Sequence, residues 1–452
     1  MRVRIRFIVL GTLLLMPAAA LAQDAHYSTM QYGPRASLLG GAVIGSVDDV
    51  SGTYYNPGAL ALARNLAFSF STNVFEFESL RLESTGGEGI ELGSSRSGVR
   101  PSLVAGTITR GLFGGKALLA YSALTRTSGN QDLAGQFVLG PGALPDTVSI
   151  RDLAGQAVFD GRYNDTWAGI SYSQALGSSF GIGVTWYGGI RSQKRRITTN
   201  FAAVFSDSVG GDAFESVSGS LTTFRMLWKF GAFAETGPFT VGATFVTPSA
   251  QLFGSGERSS SSSINTPDSL FVSSDVQRDL DATYKSPMSI GLGLGWRIGN
   301  GRLHASAEYF DDVSPYRVLD ARPFQAIQPD DVTITPNLVH SADDVLNWAI
   351  GGEYEFSPSL QGFASFFTDN SALVEDQSQS ALSVFPVDIN TFTAGVKFNV
   401  GSALFTIGGG YGWASKVDDQ LTNLLQDENG ELEARYVYRS FQVLFGFEIG
   451  AD

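Results

Sequence analysis

The chain has 452 residues, 30 Lys and Arg against 44 Asp and Glu for a net charge of −14, and no cysteine. That balance excludes a nucleic-acid partner held by a basic surface, and the missing thiols exclude disulfide staples and thiolate metal sites. Only 16% of residues are charged while 12% are aromatic and 53 are Gly, too few charges for an ordinary soluble surface but suited to a β-barrel whose lipid face is apolar at every second position.

Residues 1–22 read as a secretory signal. Arg2, Arg4 and Arg6 precede an apolar run from Phe7 to Met16, and Ala20-Leu21-Ala22 forms a cleavage site. About ten apolar residues cannot cross a hydrocarbon core that needs about twenty. No later stretch approaches that length, which excludes a helical membrane protein.

Residues 23–64 follow. The run GAVIGSVDDVSGTYYNPGAL, Gly41 to Leu60, has neither helical nor strand periodicity. Its apolar content, with Tyr54 and Tyr55, argues against a disordered tail. Gly40, Gly41 and Gly45 permit close backbone approach. Asp48, Asp49 and Ser51 are placed to bond nearby amides as turns or a helix cap. Asn56-Pro57-Gly58 forms a bend leading into the first strand.

From residue 65 onward the pattern is period two. Phe441, Val443, Phe445, Phe447 and Ile449 share one face; so do Phe180, Ile182, Val184 and Trp186, then Met288, Ile290, Leu292, Leu294 and Trp296, and also Phe392, Ala394, Val396, Phe398 and Val400. Strands are expected near 65–80, 100–110, 116–127, 163–174, 179–192, 216–234, 238–249, 286–297, 302–313, 346–356, 359–371, 389–400, 403–416 and 434–449. Short turns alternate with long linkers between them, as in barrels whose turns face the periplasm and whose loops face outside. Unpaired strand edges are not tolerated in lipid, so the sheet must close. The expectation is an all-β fold: a 14-stranded antiparallel transmembrane β-barrel over 65–452, with residues 23–64 as an N-terminal hatch plug in a lumen too wide for its own side chains to fill.

The long linkers are acidic, as in Lys416 to Glu433 and around Asp311, Asp312, Asp330, Asp331, Asp343 and Asp344, and read as a solvated rim. Ser259 to Ser263 reads as a mobile loop tip. In the sixth strand, parity turns Arg225, Leu227, Lys229 and Phe233 inward as ligand-binding candidates. The alternative for the two cations is pairing with inward acids such as Glu308, Glu353 or Glu448, or with Asp48 and Asp49. Arg191 and Arg297 are inward by the same parity. Gly188-Gly189 is a candidate kink for a lateral gate. Catalysis finds no support: His26, His304 and His340 lack metalloprotease spacing, and Ser179 in GSSFG sits in a strand-to-strand turn. No catalytic residue, metal or cofactor is expected.

The stretch YGPRASLLGGAVIGSVDDVSGTYYNPGALA resembles the N-terminal hatch of the FadL family of outer-membrane transporters. Gly40, Gly41, Ala42, Asp48, Asp49, Ser51, Asn56, Pro57 and Leu60 carry the match, and SPMSIGLGLGWRIGNGRLHASAEY and AIGGEYEFSPSLQGFASF extend it along the barrel. Gly58 departs from the family's Ala, a change that leaves the bend intact while giving it room to loosen. Gly450, Ala451 and Asp452 replace the usual aromatic end. The resemblance implies a monomer in the outer membrane of a Gram-negative-type bacterium, in contact with lipid and lipopolysaccharide. It implies passive uptake of long-chain fatty acids, aromatic hydrocarbons or other hydrophobic or amphipathic small molecules. Passage runs from a groove among the outer loops to a pocket above the hatch, then out through the hatch or sideways at a kinked strand. A non-transporting scaffold barrel and a general diffusion porin are the alternatives.

Overall fold

Alternating apolar residues become strands because a pleated backbone sends successive side chains to opposite faces. The computed structural model describes residues 26–63, 68–85, 92–139, 150–205, 208–336, 338–374, 387–401, 403–418 and 433–449. The expected signal sequence and most of the acidic segment from Lys416 to Glu433 lie outside these residues.

Six strands open the barrel: β1 (Phe68–Thr85), β2 (Leu92–Gly111), β3 (Ala117–Leu139), β4 (Ile150–Ala175), β5 (Phe180–Phe205) and β6 (Gly210–Thr236). Then come β7 (Phe239–Val246), β8 (Ala250–Thr266), β9 (Ser269–Asp281), β10 (Ser289–Ile298) and β11 (Gly301–Phe310). Four short strands follow: β12 (Val313–Arg317), β13 (Phe324–Gln325), β14 (Thr333–Ile334) and β15 (Val339–Ala342). The chain ends with β16 (Val345–Ser357), β17 (Leu360–Asp369), β18 (Ile389–Val400), β19 (Ala403–Asp418) and β20 (Glu433–Ile449). Antiparallel pairing runs β1-β2-β3-β4-β5-β6-β7-β10-β11-β16-β17-β18-β19-β20 and returns from β20 to β1. Fourteen strands therefore close the cylinder, and no barrel strand is left with a bare edge in lipid.

Two expectations for the linkers are corrected. Residues 128–139, 150–162, 193–205 and 210–215 are not loops, because β3, β4, β5 and β6 continue beyond the barrel proper and pair with one another, as in Leu139–Leu153 and Val204–Gly210. Ser259 to Ser263 is not a loop tip. It lies within β8, laddered to β6 on one side and β9 on the other. The outward faces of these extensions are largely polar and their inward faces mix buried Phe159, Ile197, Phe201 and Phe205 with Arg195, so the apolar-out alternation that marks a lipid-facing strand is missing from them.

The outward faces of β4, β5 and β6 locate the lipid. Neighbouring outward rungs read Tyr172–Val184–Phe230, Ile170–Trp186–Trp228, Ala168–Gly188–Met226 and Thr166–Ile190–Phe224. The next rung, Asn164–Ser192–Thr222, is polar. From Phe180 to Ile190 on β5, at ~3.4 Å per residue and ~45° tilt, the apolar height is ~24 Å, the thickness of a lipid-facing band. Elsewhere exposed Leu292, Ile350, Phe392 and Phe441 continue it. Aromatic pairs mark its rims: Phe239 stacks on Trp296 near the short turns, and Phe366 meets Trp413 near the long extensions.

Candidate lumen site

Residues 26–63 lie against the inward faces of the barrel strands. Their framework is a short helix Pro34–Leu38, a helical turn Gly52–Tyr55 and a 3-10 turn Pro57–Ala59, all buried. Gly40 and Gly41 take φ of 58° and 77°, a left-handed bend that other residues resist. Asp49 Oδ1 accepts from the Ser51 amide at 2.7 Å, the turn its residue type anticipates. Ser51 itself makes no side-chain cap, and its hydroxyl is buried without a partner.

Asn56 holds the bend. Its side-chain amide donates to the Ile44 carbonyl at 2.9 Å and across to Ala232 of β6 at 3.0 Å, while its Oδ1 accepts from the Gly58 amide at 3.0 Å. Gly58 corrects the expectation of looseness. A Cβ there would lie 2.7 Å from the Gly231 carbonyl oxygen and 2.9 Å from the Ala232 Cα, so glycine lets segment and wall meet backbone to backbone. The wall reciprocates with inward Gly181, Gly183, Gly242 and Gly293, each facing main-chain atoms of residues 44–58. Wall hydroxyls complete the seal: Thr185 and Tyr187 donate to the Thr53 carbonyl at 2.8 and 2.9 Å, and Thr393 donates to Leu38 at 2.9 Å.

Charge ties the same segment to the wall near the short-turn end. Arg35 forks onto Glu353 of β16 at 2.7 and 2.9 Å, donates to the Ser46 carbonyl at 3.1 Å, and stands 3.4 Å from Asp48. Burial opposes the charge on Arg35, but Asp48 and Glu353 outweigh it and raise its pKa above the usual guanidinium value. Asp48 also reaches Arg302 at 4.0 Å. Burial and then the Asp48 charge raise the Asp49 carboxyl above its ordinary value. Ser46 meets His304 at 2.7 Å.

Above this seal lie two small pockets that share Thr127 in their linings. The first is walled by Tyr27, Tyr54, Trp167, Leu227, Tyr284 and Phe310 and holds Arg126, Lys229, Asp165 and Glu308. Parity places the sixth-strand candidates correctly: Arg225, Leu227, Lys229 and Phe233 all face inward and are buried. The proposed partners of the cations are corrected. Arg225 pairs with Asp165 of β4, because Asp165 lies opposite Arg191 on β5 and one rung from Arg225. Glu353 goes to Arg35 and Glu448 to Lys397 at 2.6 Å instead. Lys229 stands over the Tyr54 ring at 4.4 Å, with no carboxylate within ion-pair distance among the described residues. Arg126 lies over Tyr54 and Trp167 at 5.9 and 5.6 Å, its Nη1 buried without a hydrogen-bond partner. Sequence reasoning missed Arg126, although it shares the inward parity of Ala120, Ser122 and Leu124 on β3. Burial pushes the Tyr32 phenol up to about 12, so the hydroxyl that donates to the Arg126 carbonyl at 2.9 Å stays neutral. Arg191 faces inward and is fully buried over Tyr284 at 4.3 Å, whereas Arg297 is exposed at the short-turn rim.

Gly188 and Gly189 carry no bulge. Both are paired on each side, and Gly189 leaves room for Trp167 and Arg225, whose side-chain atoms lie 3.3 and 3.4 Å from where its Cβ would be. The break in the wall is elsewhere. β2 and β3 pair at Gly93–Ala134 and from Leu103–Leu124 downward, with no ladder pairs between among the described residues. Pro101, which has no N–H to donate, sits near the lower end of that break and was its signal in the sequence. The second pocket abuts it through Arg100, Thr127, Ser128 and Tyr163.

A closed barrel with an apolar outer band, with residues 26–63 against its inward wall, defines a transmembrane β-barrel. Its fold is that of the FadL-type transporters. The toluene transporter TodX of Pseudomonas putida matches at 13% identity over 93% of this chain and 99% of that one, with a TM-score of 0.60. A Pseudomonas aeruginosa FadL homologue matches at 12% identity over 94% and 100%, with a TM-score of 0.58. The toluene transporter TbuX of Ralstonia pickettii matches at 9% identity over 93% and 99%, with a TM-score of 0.53. No protein-family model matches the sequence, and comparison with curated proteins by sequence finds no match.

Proposed function

We propose that this protein is an outer-membrane channel for the passive uptake of hydrophobic small molecules, exported by its first 22 residues and gated by residues 23–64. The reading rests most on one observation, the aromatic cavity directly above the sealed end of the lumen. Tyr27, Tyr54, Trp167, Tyr284 and Phe310 offer apolar surface at about 25 cal/mol per Å² removed from water. The solutes named for two structural neighbours, toluene in both, agree with such a lining.

Within that class the cavity favours amphiphiles with an anionic head, such as long-chain fatty acids. Arg225 is neutralised by Asp165, which leaves Arg126 and Lys229 against Glu308 alone. A carboxylate placed between Arg126 and Lys229 gains charge-assisted hydrogen bonds while its tail lies on the rings. The break between β2 and β3 supplies a sideways exit at the height where the apolar band ends, so the solute need not return to water.

Mass spectrometry of ligands retained by gently purified protein, with uptake into proteoliposomes, tests the proposal. Long-chain carboxylates or aromatic compounds are expected to be retained and transported. Free passage of sugars with no apolar ligand retained would instead fit a diffusion porin. Stoichiometric protein partners without any transport would fit a scaffold barrel. Lys229→Met is expected to weaken carboxylate retention about tenfold while leaving neutral hydrocarbons unchanged.

A further inference from the structure

The chain is acidic overall, yet on β4 and β5 the first charged residues met outward above the lipid band are basic. On β4 and β5, one rung beyond the polar Asn164–Ser192–Thr222 row, Arg162 is register partner to Lys194; one rung further, Arg196 faces Asp160. Arg162, Lys194 and Arg196 are all exposed, Arg162 with 69% of its side-chain surface free. Directly paired residues on adjacent strands lie ~5 Å apart and residues two apart on one strand ~7 Å, so the three cations form a triangle the size of a phosphate group's reach.

Two like charges directly opposite each other destabilise a sheet, and the local acids do not cancel this pair. Asp160 is 3.8 Å from Arg162 and is the register partner of Arg196, and Asp132 on β3 is in turn the register partner of Asp160, so two acids stand against three cations. Asp132 on β3 accepts from Asn130 at 3.3 Å, and Glu257 on β8 accepts from Ser220 at 3.3 Å; each lies about two strand spacings, ~10 Å, from the β5 cations. Above the outward row Tyr411–Phe441–Phe77, exposed Arg439 and exposed Arg81 also point out from β20 and β1, not as register partners.

We infer that Arg162, Lys194 and Arg196 form a binding site for the phosphate groups of a phosphorylated glycolipid in the outer leaflet. Its acyl chains lie on Ile190, Trp186 and Ile170 below, and its phosphates sit at the level of the three cations, with Asn164 and Ser192 donating between. The site is separate from the lumen, and its failure would leave the transport reading untouched.

Binding of bis-phosphorylated lipid A to the detergent-solubilised protein, followed by native mass spectrometry, tests it. The triple variant Arg162→Gln, Lys194→Gln, Arg196→Gln is expected to bind at least about tenfold more weakly, the loss of one charge-assisted contact. Asp160→Asn, which removes the acid nearest the three cations, is expected to bind about threefold more tightly. Arg317→Gln, on an outer loop remote from the band, should leave binding unchanged. Equal binding of dephosphorylated lipid A, an unaffected triple variant, or an equal loss with Arg317→Gln would overturn the assignment. Complete displacement by millimolar inorganic phosphate would show a simple anion site and overturn the lipid.

Discussion

Glu353→Gln isolates the charge that docks residues 26–63 in the lumen. Arg35 is 4% exposed and makes two charge-assisted bonds to Glu353, at 2.7 and 2.9 Å. Each such bond contributes about 1.5–3 kcal/mol, and a buried cation stripped of its partner costs about 3–5 kcal/mol. Asp48, half exposed and 3.4 Å from Arg35, recovers part of this. A net loss of about 3 kcal/mol is expected, an increase of about a hundredfold in the undocked population. Because the barrel's own ladder is untouched, the loss should be local. Hydrogen exchange reads it through the amides of Leu39, Ala42 and Val47, which bond to Arg35, Leu39 and Val43 inside the segment. These should exchange about a hundredfold faster while β5 and β6 amides do not change. Replacing Arg35 and Glu353 together by Met should bring exchange back to within about tenfold of the parent, since removing both partners of a buried pair is nearly neutral. Unchanged exchange in Glu353→Gln would refute the claim that this pair holds the segment in place.

Three further outcomes follow from the same geometry. Gly58→Ala pushes a Cβ against the Gly231 carbonyl and should cost about 1–3 kcal/mol of docking, seen as raised conductance in planar bilayers. Leu292→Arg, at the middle of the lipid face, should destabilise folding into vesicles by about 2–4 kcal/mol in denaturant titrations, whereas Ser192→Arg at the polar rung should cost about 1 kcal/mol or less. His340, in the outer β12–β15 hairpin, is buried beside Arg191 and Arg195, and burial followed by those charges lowers its pKa from 6.5 to about 3. The unfolded loop binds the proton first, so the hairpin's stability is complete above pH 6.5 and declines as pH falls toward 3. From pH 7 to pH 5 the loss is about 2 kcal/mol, measurable as faster exchange of β12 and β15 amides.

The cylinder was legible in the sequence because lipid imposes a rule that acts residue by residue. Phe180, Ile182, Val184 and Trp186 must face outward together, and a one-residue slip would reverse them all. The same rule placed Arg225, Leu227, Lys229 and Phe233 inside. It failed where lipid no longer acts. In the upper halves of β3 to β6 the outward face is wetted and the buried inward face mixes Phe159, Ile197 and Phe201 with Arg195, and Ser259–Ser263 of β8 is serine throughout, so these strands left no apolar-out trace.

What only the tertiary structure decided is which inward groups meet. Arg225 found Asp165 rather than Glu308, and Glu353 found Arg35 rather than a wall cation, because inward neighbours are set by the register between strands far apart in sequence. The value of Gly58 likewise appears only once Gly231 stands opposite it. Local sequence carries the direction of each side chain; closing the sheet and seating residues 26–63 within it supply the partner.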